Sequence, residues 1–304
     1  MVRLSGFHWL ILPAAMLISA LFIPFLFKHR FIAGKTIGSA LRRARKCEKS
    51  GIVASIDHLG EDIKSVEQVA VEIEEYLNLI DKIKKNGLKA NIAVKPTSLG
   101  LALPAANRPA GKMIFAVAIE IITQKAKREN MSVWLDMEDS RFTHDTVDIA
   151  IWLNELGCRN IGVAIQAYLK RSKADIEPLC RRKIPIRLCK GIYREKPEIA
   201  FQKDGEIRKN FLELAQFILE NKSPIAVATH DPLIVQEIVS LARKNGDIFR
   251  LIEFQMLLGK RTWLLRKLAA EGHQTRIYIP YGKRWLRYAF RRLKEGKLLK
   301  LLFS

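Results

Sequence analysis

The 304-residue chain lacks the signatures that would settle its chemistry quickly. Its four cysteines, Cys47, Cys158, Cys180 and Cys189, form no CxxC pair and have no metal-ligand spacing with histidine. They read as reduced thiols of a cytoplasmic protein, with no metal site and with Cys189 inside a strand. There is no GxGxxG and no phosphate-binding P-loop, so the common dinucleotide and nucleotide fingerprints are missing. No zinc finger, RNA-recognition signature or Arg-rich arm is present, and nucleic acid is not expected as a partner. Acidic residues are in short supply. Lys and Arg total 52 against 31 Asp and Glu, a formal net charge of +21. Such a field attracts polyanions, including anionic lipid.

The N-terminus adds to the lipid reading. Trp9 to Phe27 carry no charge, and Lys28, His29 and Arg30 follow at once. Nineteen uncharged residues reach the ~18-residue threshold for a spanning candidate, although Pro13 and Pro24 interrupt the run. The basic cluster suits a cytoplasmic flank. The segment could span, lie flat or pack on the folded domain, and a cleavable signal peptide is not expected. With the LLKLLF tail at 298–303, it suggests a cytoplasmic protein associated with the inner face of the cell membrane.

Beyond residue 50 the chain alternates regularly. Short apolar runs rich in Val and Ile predict buried strands at about 52–57, 89–97, 132–138, 160–168, 184–191, 224–230, 249–256 and 275–282. Helix-period stretches lie between them, for example 65–86, 111–129, 143–156, 206–221 and 231–245. Thr143 and Asp231 stand at predicted N-caps, and Asn86-Gly87, Asn245-Gly246 and Gly272 at predicted C-caps. Eight β-then-α units in about 250 residues are the count and length of a (β/α)8 TIM barrel. A doubly wound sheet is the alternative. The expected organisation is an apolar segment and extra N-terminal helices over 1–50, then a catalytic barrel over 51–304.

Barrel active sites lie at the C-terminal strand ends. The polar residues there are Asp57, Lys95, Asp136 with Glu138, Gln166 with Tyr168, Arg187 with Lys190, His230, Glu253 with Gln255, and Tyr278. Each alone could be an internal ion pair or a cap; eight strands ending this way point to a ligand. In the last unit Tyr288, Arg291, Arg292 and Glu295 follow i, i+3, i+4, i+7 spacing and share one helix face. Paired arginines can grip a carboxylate bidentately while tyrosines cover an apolar ring. A solvated basic helix is the plainer reading of that segment.

These residues fall in an order that resembles the proline dehydrogenase family, especially its single-function bacterial members. RFIAGKT at 30–36, IDHLGED at 56–62, KPTSLGL at 95–101, WLDMEDS at 134–140 and IQAYLKRSKAD at 165–175 resemble its segments in sequence. IRLCKGIYREKPEIAF at 186–201, ATHD at 228–231, EFQMLLG at 253–259, RIYIPYG at 276–282 and YAFRRLKE at 288–295 follow. The resemblance implies non-covalent FAD at the barrel mouth, hydride transfer from C5 of L-proline to flavin N5, and a quinone as electron acceptor. It assigns Arg291, Arg292 and Lys95 to the substrate carboxylate and Tyr193, Tyr278 and Tyr288 to the proline ring. Asp136, Gln166, Arg187, Lys190 and Gly191 then surround the flavin, with Thr229, His230, Gln255 and Glu295 as further contacts. Glu61 pairs with Arg291 as a lid. Ile192, Arg194, Asp231 and Gly296 depart from the family pattern without removing a required group. Two other readings stand beside this one: a flavin barrel of the methylenetetrahydrofolate reductase type, and a catalytically silent barrel tethered to membrane.

Overall fold

Eight short strands pair in parallel, in chain order, and close on themselves in the computed structural model. The structure describes residues 30–60, 63–103 and 108–285. The strands are β1 (Val53–His58), β2 (Ala90–Val94), β3 (Val133–Leu135), β4 (Ile161–Gln166), β5 (Ile186–Cys189), β6 (Ile225–Ala228), β7 (Ile252–Leu257) and β8 (Gln274–Tyr281). Pairing of β1 with β8, from Val53 opposite Arg276 to His58 opposite Tyr281, closes the barrel.

Alternation along each strand assigns two different environments. One face is aliphatic: Ile56, Ile92, Val163, Ile186 and Ile277 join a single buried core with the surrounding helices. The other face lines the barrel interior and is polar or small. There Ala93, Trp134 and Ala226 form a separate small cluster with Tyr278 against it. Gly162 on β4 makes room for the indole, since a Cβ there would lie 2.8 Å from a Trp134 ring carbon.

The helices are α1 (Ile37–Glu48), α2 (Val66–Lys85), α3 (Arg108–Arg128), α4 (Ser140–Glu155), α5 (Ser172–Arg181) and α6 (Asp204–Glu220). They are followed by α7 (Pro232–Lys244), α8 (Gly246–Phe249) and α9 (Thr262–Ala270), and a 3-10 turn spans Pro96–Leu99. Helix α1 starts at a Thr36–Ser39 capping box and buries Ile37, Ala40, Leu41 and Ala44. It packs on both β8 and β1, so this N-terminal helix sits over the seam of the barrel.

Local chemistry moves some expected boundaries. Asp139, not Thr143, caps α4: its carboxylate accepts from the Arg141 N–H at 3.1 Å, whereas Thr143 is buried inside the helix. Asp231 caps α7 as expected, accepting from Leu233 N–H at 3.1 Å. Asn245 does not end in a glycine cap. It turns extended and accepts from the Asp247 N–H, which starts the short α8 and delays β7 to Ile252. Among the described residues no helix is long and apolar enough to cross a membrane; residues 9–27 and the 298–303 tail lie outside them.

Candidate active site

At the C-terminal strand ends the barrel opens into a cavity of about 500 Å³. Lys95, Asp136, Gln166, Arg187, Lys190, Gly191, Tyr193, Thr229, His230, Gln255 and Tyr278, all singled out from the sequence, line this one cavity. Glu61, Tyr288, Arg291, Arg292 and Glu295 lie outside the described residues.

Four charges and a phenol form the base of the cavity. The Lys95 ammonium donates to Asp57 Oδ2 at 2.6 Å and to the Tyr278 hydroxyl oxygen at 3.2 Å, and lies 3.6 Å from Asp136 Oδ2. Arg187 donates from Nη1 to Asp136 Oδ1 at 2.7 Å and from Nη2 to Ser55 Oγ at 3.2 Å. The Tyr278 hydroxyl donates to Asp136 Oδ2 at 2.5 Å. The guanidinium carbon sits 4.7 Å from the Trp134 ring centroid and 5.6 Å from that of Tyr278, within cation–π range. Two carboxylates and two cations balance, which makes the burial tolerable. Burial nevertheless pushes the Asp57 carboxyl up to about 6, with the Lys95 ammonium opposing and the Asp136 carboxylate adding to the rise. Burial, then Asp136 and Asp57, raise Tyr278 well above its ordinary value, so it stays a phenol and a donor. Two polar atoms in this group, Asp57 Oδ1 and Arg187 Nε, have no hydrogen-bond partner among the described residues.

The strand ends fix the surrounding groups. Gln166 donates to the Glu138 carbonyl at 2.8 Å, and the Glu138 carboxylate accepts from Thr97 N and Oγ1, each at 2.8 Å. Gly191 has a φ of 103° and lies against the Tyr168 ring, where a Cβ would approach to 2.1 Å; only glycine fits. His230 Nε2 accepts from the Leu257 N–H at 2.9 Å. Burial, helped by the Lys260 and Arg261 cations, pushes this imidazole down to about 3. It is therefore neutral, with its proton on Nδ1. Cys189 is half-buried and its thiol is pushed up to about 12 by burial, which makes it a poor nucleophile.

The mouth is basic. Lys190 pairs with Asp231 at 2.8 Å, and Arg208 with the same carboxylate at 3.0 Å. Lys260 and Arg261 precede α9, and Arg261 takes a left-handed φ of 44°. Burial and then the Arg261, Arg30 and Lys190 charges hold Lys260 below its ordinary value. Cations crowded at a helix N-terminus oppose the helix dipole, an arrangement that an anion would relieve.

Two features differ from the sequence expectation. Glu253 does not lie at the mouth: it is the second residue of β7, near the opposite end, the barrel floor, gripped by Arg276 at 2.8 and 2.9 Å and accepting from Gln255 at 2.6 Å. Ser55, Asn91, Trp134, Lys260 and Arg261 were not anticipated. Period-2 counting back from Asp57, Lys95 and Asp136 would have found the first three.

The comparisons with known proteins bear on the family and the fold. The family model described as proline dehydrogenase matches residues 40–299. The chain is 33% identical over 267 residues to proline dehydrogenase 1 of Bacillus subtilis subsp. natto, covering 88% of this chain and 86% of that one. It is 32% identical over 272 residues to proline dehydrogenase of Deinococcus radiodurans, covering 88% and 85%. Among solved structures, proline utilization A from Bdellovibrio bacteriovorus inactivated by N-propargylglycine superposes with a TM-score of 0.82 at 24% identity. That match covers 93% of this chain and spans 33% of the longer protein, and it bears on the fold alone. The chain belongs to the proline dehydrogenase family.

Proposed function

We propose that this protein is a proline dehydrogenase that oxidises L-proline to 1-pyrroline-5-carboxylate. The observation that carries the reading is the convergence of Lys95, Asp136, Arg187 and Tyr278 on one cavity, with Asp57 buried behind Lys95, in a chain belonging to this family. A methylenetetrahydrofolate reductase type is not favoured by the family match, and a silent barrel is not favoured by a cavity that keeps these charges buried.

FAD, when bound, supplies the acceptor that takes the hydride from proline C5 at its N5. The residues present fit that group. Lys190, Lys260 and Arg261 with the α9 N-terminus suit a diphosphate. Gln166, Thr229, His230, Gln255 and Gly191 offer neutral polar contacts and a close backbone approach, and Glu295 joins them from outside the described residues. Arg187 is a permanent cation close to two aromatic rings. There it would stabilise negative charge that grows on the acceptor. Lys95, with Arg291 and Arg292, holds the substrate carboxylate; Tyr193, Tyr278 and Tyr288 wall the ring; Asp136 locks Arg187 and Tyr278 in place. Most of the rate enhancement then comes from positioning. Electrons pass on to a quinone. The basic flank and apolar ends of the chain favour docking at the cytoplasmic face of an anionic membrane, which salt-sensitive binding of the full chain to anionic liposomes tests; no binding at low salt ends that part.

The direct test is the visible spectrum of the reconstituted protein, with and without L-proline, in the absence of oxygen. Bleaching of the flavin band is expected; a yellow protein that proline leaves unchanged, or one that takes up no flavin, defeats the reading. Arg292→Met tests the carboxylate grip separately. It should raise KM for proline by roughly 10–100-fold, as expected for loss of a charge-assisted pair, and a normal KM would remove Arg292 from the site.

A further inference from the structure

Behind the cavity, in the barrel interior, lies a set of buried polar residues that no ligand can reach. On β2, Asn91, Ala93 and Lys95 share the inward face, and Lys95 is the residue that lines the cavity. The Asn91 carboxamide oxygen accepts from Trp134 Nε1 at 2.8 Å and from Arg276 Nη1 at 3.1 Å, and its nitrogen donates to Ser55 Oγ at 2.7 Å. Indole and guanidinium are obligatory donors, so the amide can face them only with its oxygen. Ser55 Oγ accepts in turn from Arg187 Nη2 at 3.2 Å, and the Trp134 ring carries the same guanidinium at 4.7 Å. Both groups that touch Arg187 from the floor side, a hydroxyl and an aromatic face, are therefore tied to one amide. The tie is rigid on every side. Ser55 is fully buried and Asn91 nearly so, Gly162 backs the indole, and Glu253 clamps Arg276 at two points. Neither Asn91, Ser55 nor Trp134 lines the cavity.

We infer that Asn91 and Ser55 are positioning residues for proline oxidation: they set the height and tilt of the Arg187 guanidinium that would face the flavin. A cation held without freedom to reorganise stabilises developing charge more than a mobile one does, and here Asn91, acting through Ser55 and Trp134, removes the freedom that the Asp136 ion pair leaves. The inference rests on the reading above that Arg187 faces the flavin, and the experiment separates the two.

The midpoint potential of the bound flavin is measured in the holoenzyme. Arg187→Met should lower it, because the reduced, more negative state loses its cation. Asn91→Leu and Ser55→Ala should lower it in the same direction, by about a tenfold change in the redox equilibrium, or about 30 mV for a two-electron couple. Their kcat should fall while KM for proline holds. In the Arg187→Met background, Asn91→Leu should add no further shift. If Arg187→Met shifts the potential but Asn91→Leu and Ser55→Ala leave it at the native value, the inference is overturned and both residues serve stability alone. If Arg187→Met itself has no effect, Arg187 does not face the flavin and the inference falls with that placement.

Discussion

The two ends of the barrel interior hold the same kinds of residue and differ in how completely they are satisfied. At the floor, Glu253 meets Arg276 through two hydrogen bonds, Asn91 completes the group, and Gln255, which reaches it from the cavity side, donates to Glu253. At the mouth, Lys95, Asp57, Asp136, Arg187 and Tyr278 are just as closely linked, yet Asp57 Oδ1 and Arg187 Nε lack partners among the described residues and the group opens on a cavity. Buried charge by itself does not mark a reactive site. A closed pair can serve the fold, whereas a group left with unused valence beside open space is arranged for something that binds.

Removing Asp136 should have the largest effect. Asp136→Ala strips Arg187 and Tyr278 of a shared acceptor and leaves a buried guanidinium short of its counter-charge. A stability loss of about 3–5 kcal/mol and a kcat drop on the order of 100-fold are expected, read by urea denaturation and by turnover per bound flavin. At the floor, Glu253→Ala should cost about 3 kcal/mol as Arg276 loses its clamp, while KM for proline stays close to native. A KM that rose as steeply as for a mouth variant would erase the distinction between the two ends.

A smaller effect concerns pH. His230 is held down to about 3 in the folded protein and titrates near 6.5 once unfolded. The unfolded chain therefore takes up a proton first. The stability associated with a neutral His230 is complete above about pH 6.5 and is lost as pH falls toward 3. His230→Gln should flatten that part of the profile. Denaturation midpoints measured between these limits that decline equally in both proteins would show that His230 does not contribute.

The barrel was legible in the sequence because parallel strands covered on the outside read as short Val- and Ile-rich runs, and each was followed by a helical period. The strand ends were legible because Lys95, Asp136, Arg187 and Tyr278 interrupt those runs with charge or a phenol. Which end a polar residue occupies was not, as Glu253 shows: alternation tells the face and not the height along it. Lys260 and Arg261 were hidden by abundance, since two more cations do not stand out among 52. Ser55, Asn91 and Trp134 sit in mid-strand, where neutral side chains look like ordinary strand composition, and only the closed interior gives them partners. The cap of α4 moved from Thr143 to Asp139 because both residue types cap well and only the backbone path decides between them.

Helix α1 lies across the joint where β8 meets β1, two strands more than 200 residues apart in the chain. The seam is thus covered by a segment made long before β8, and its apolar side, Ile37, Ala40, Leu41 and Ala44, has no complete surface to rest on until that strand exists. Such distant closure is slow to form, because a long loop must be ordered before it is rewarded. During synthesis α1 has to wait, half its surface missing, for β8.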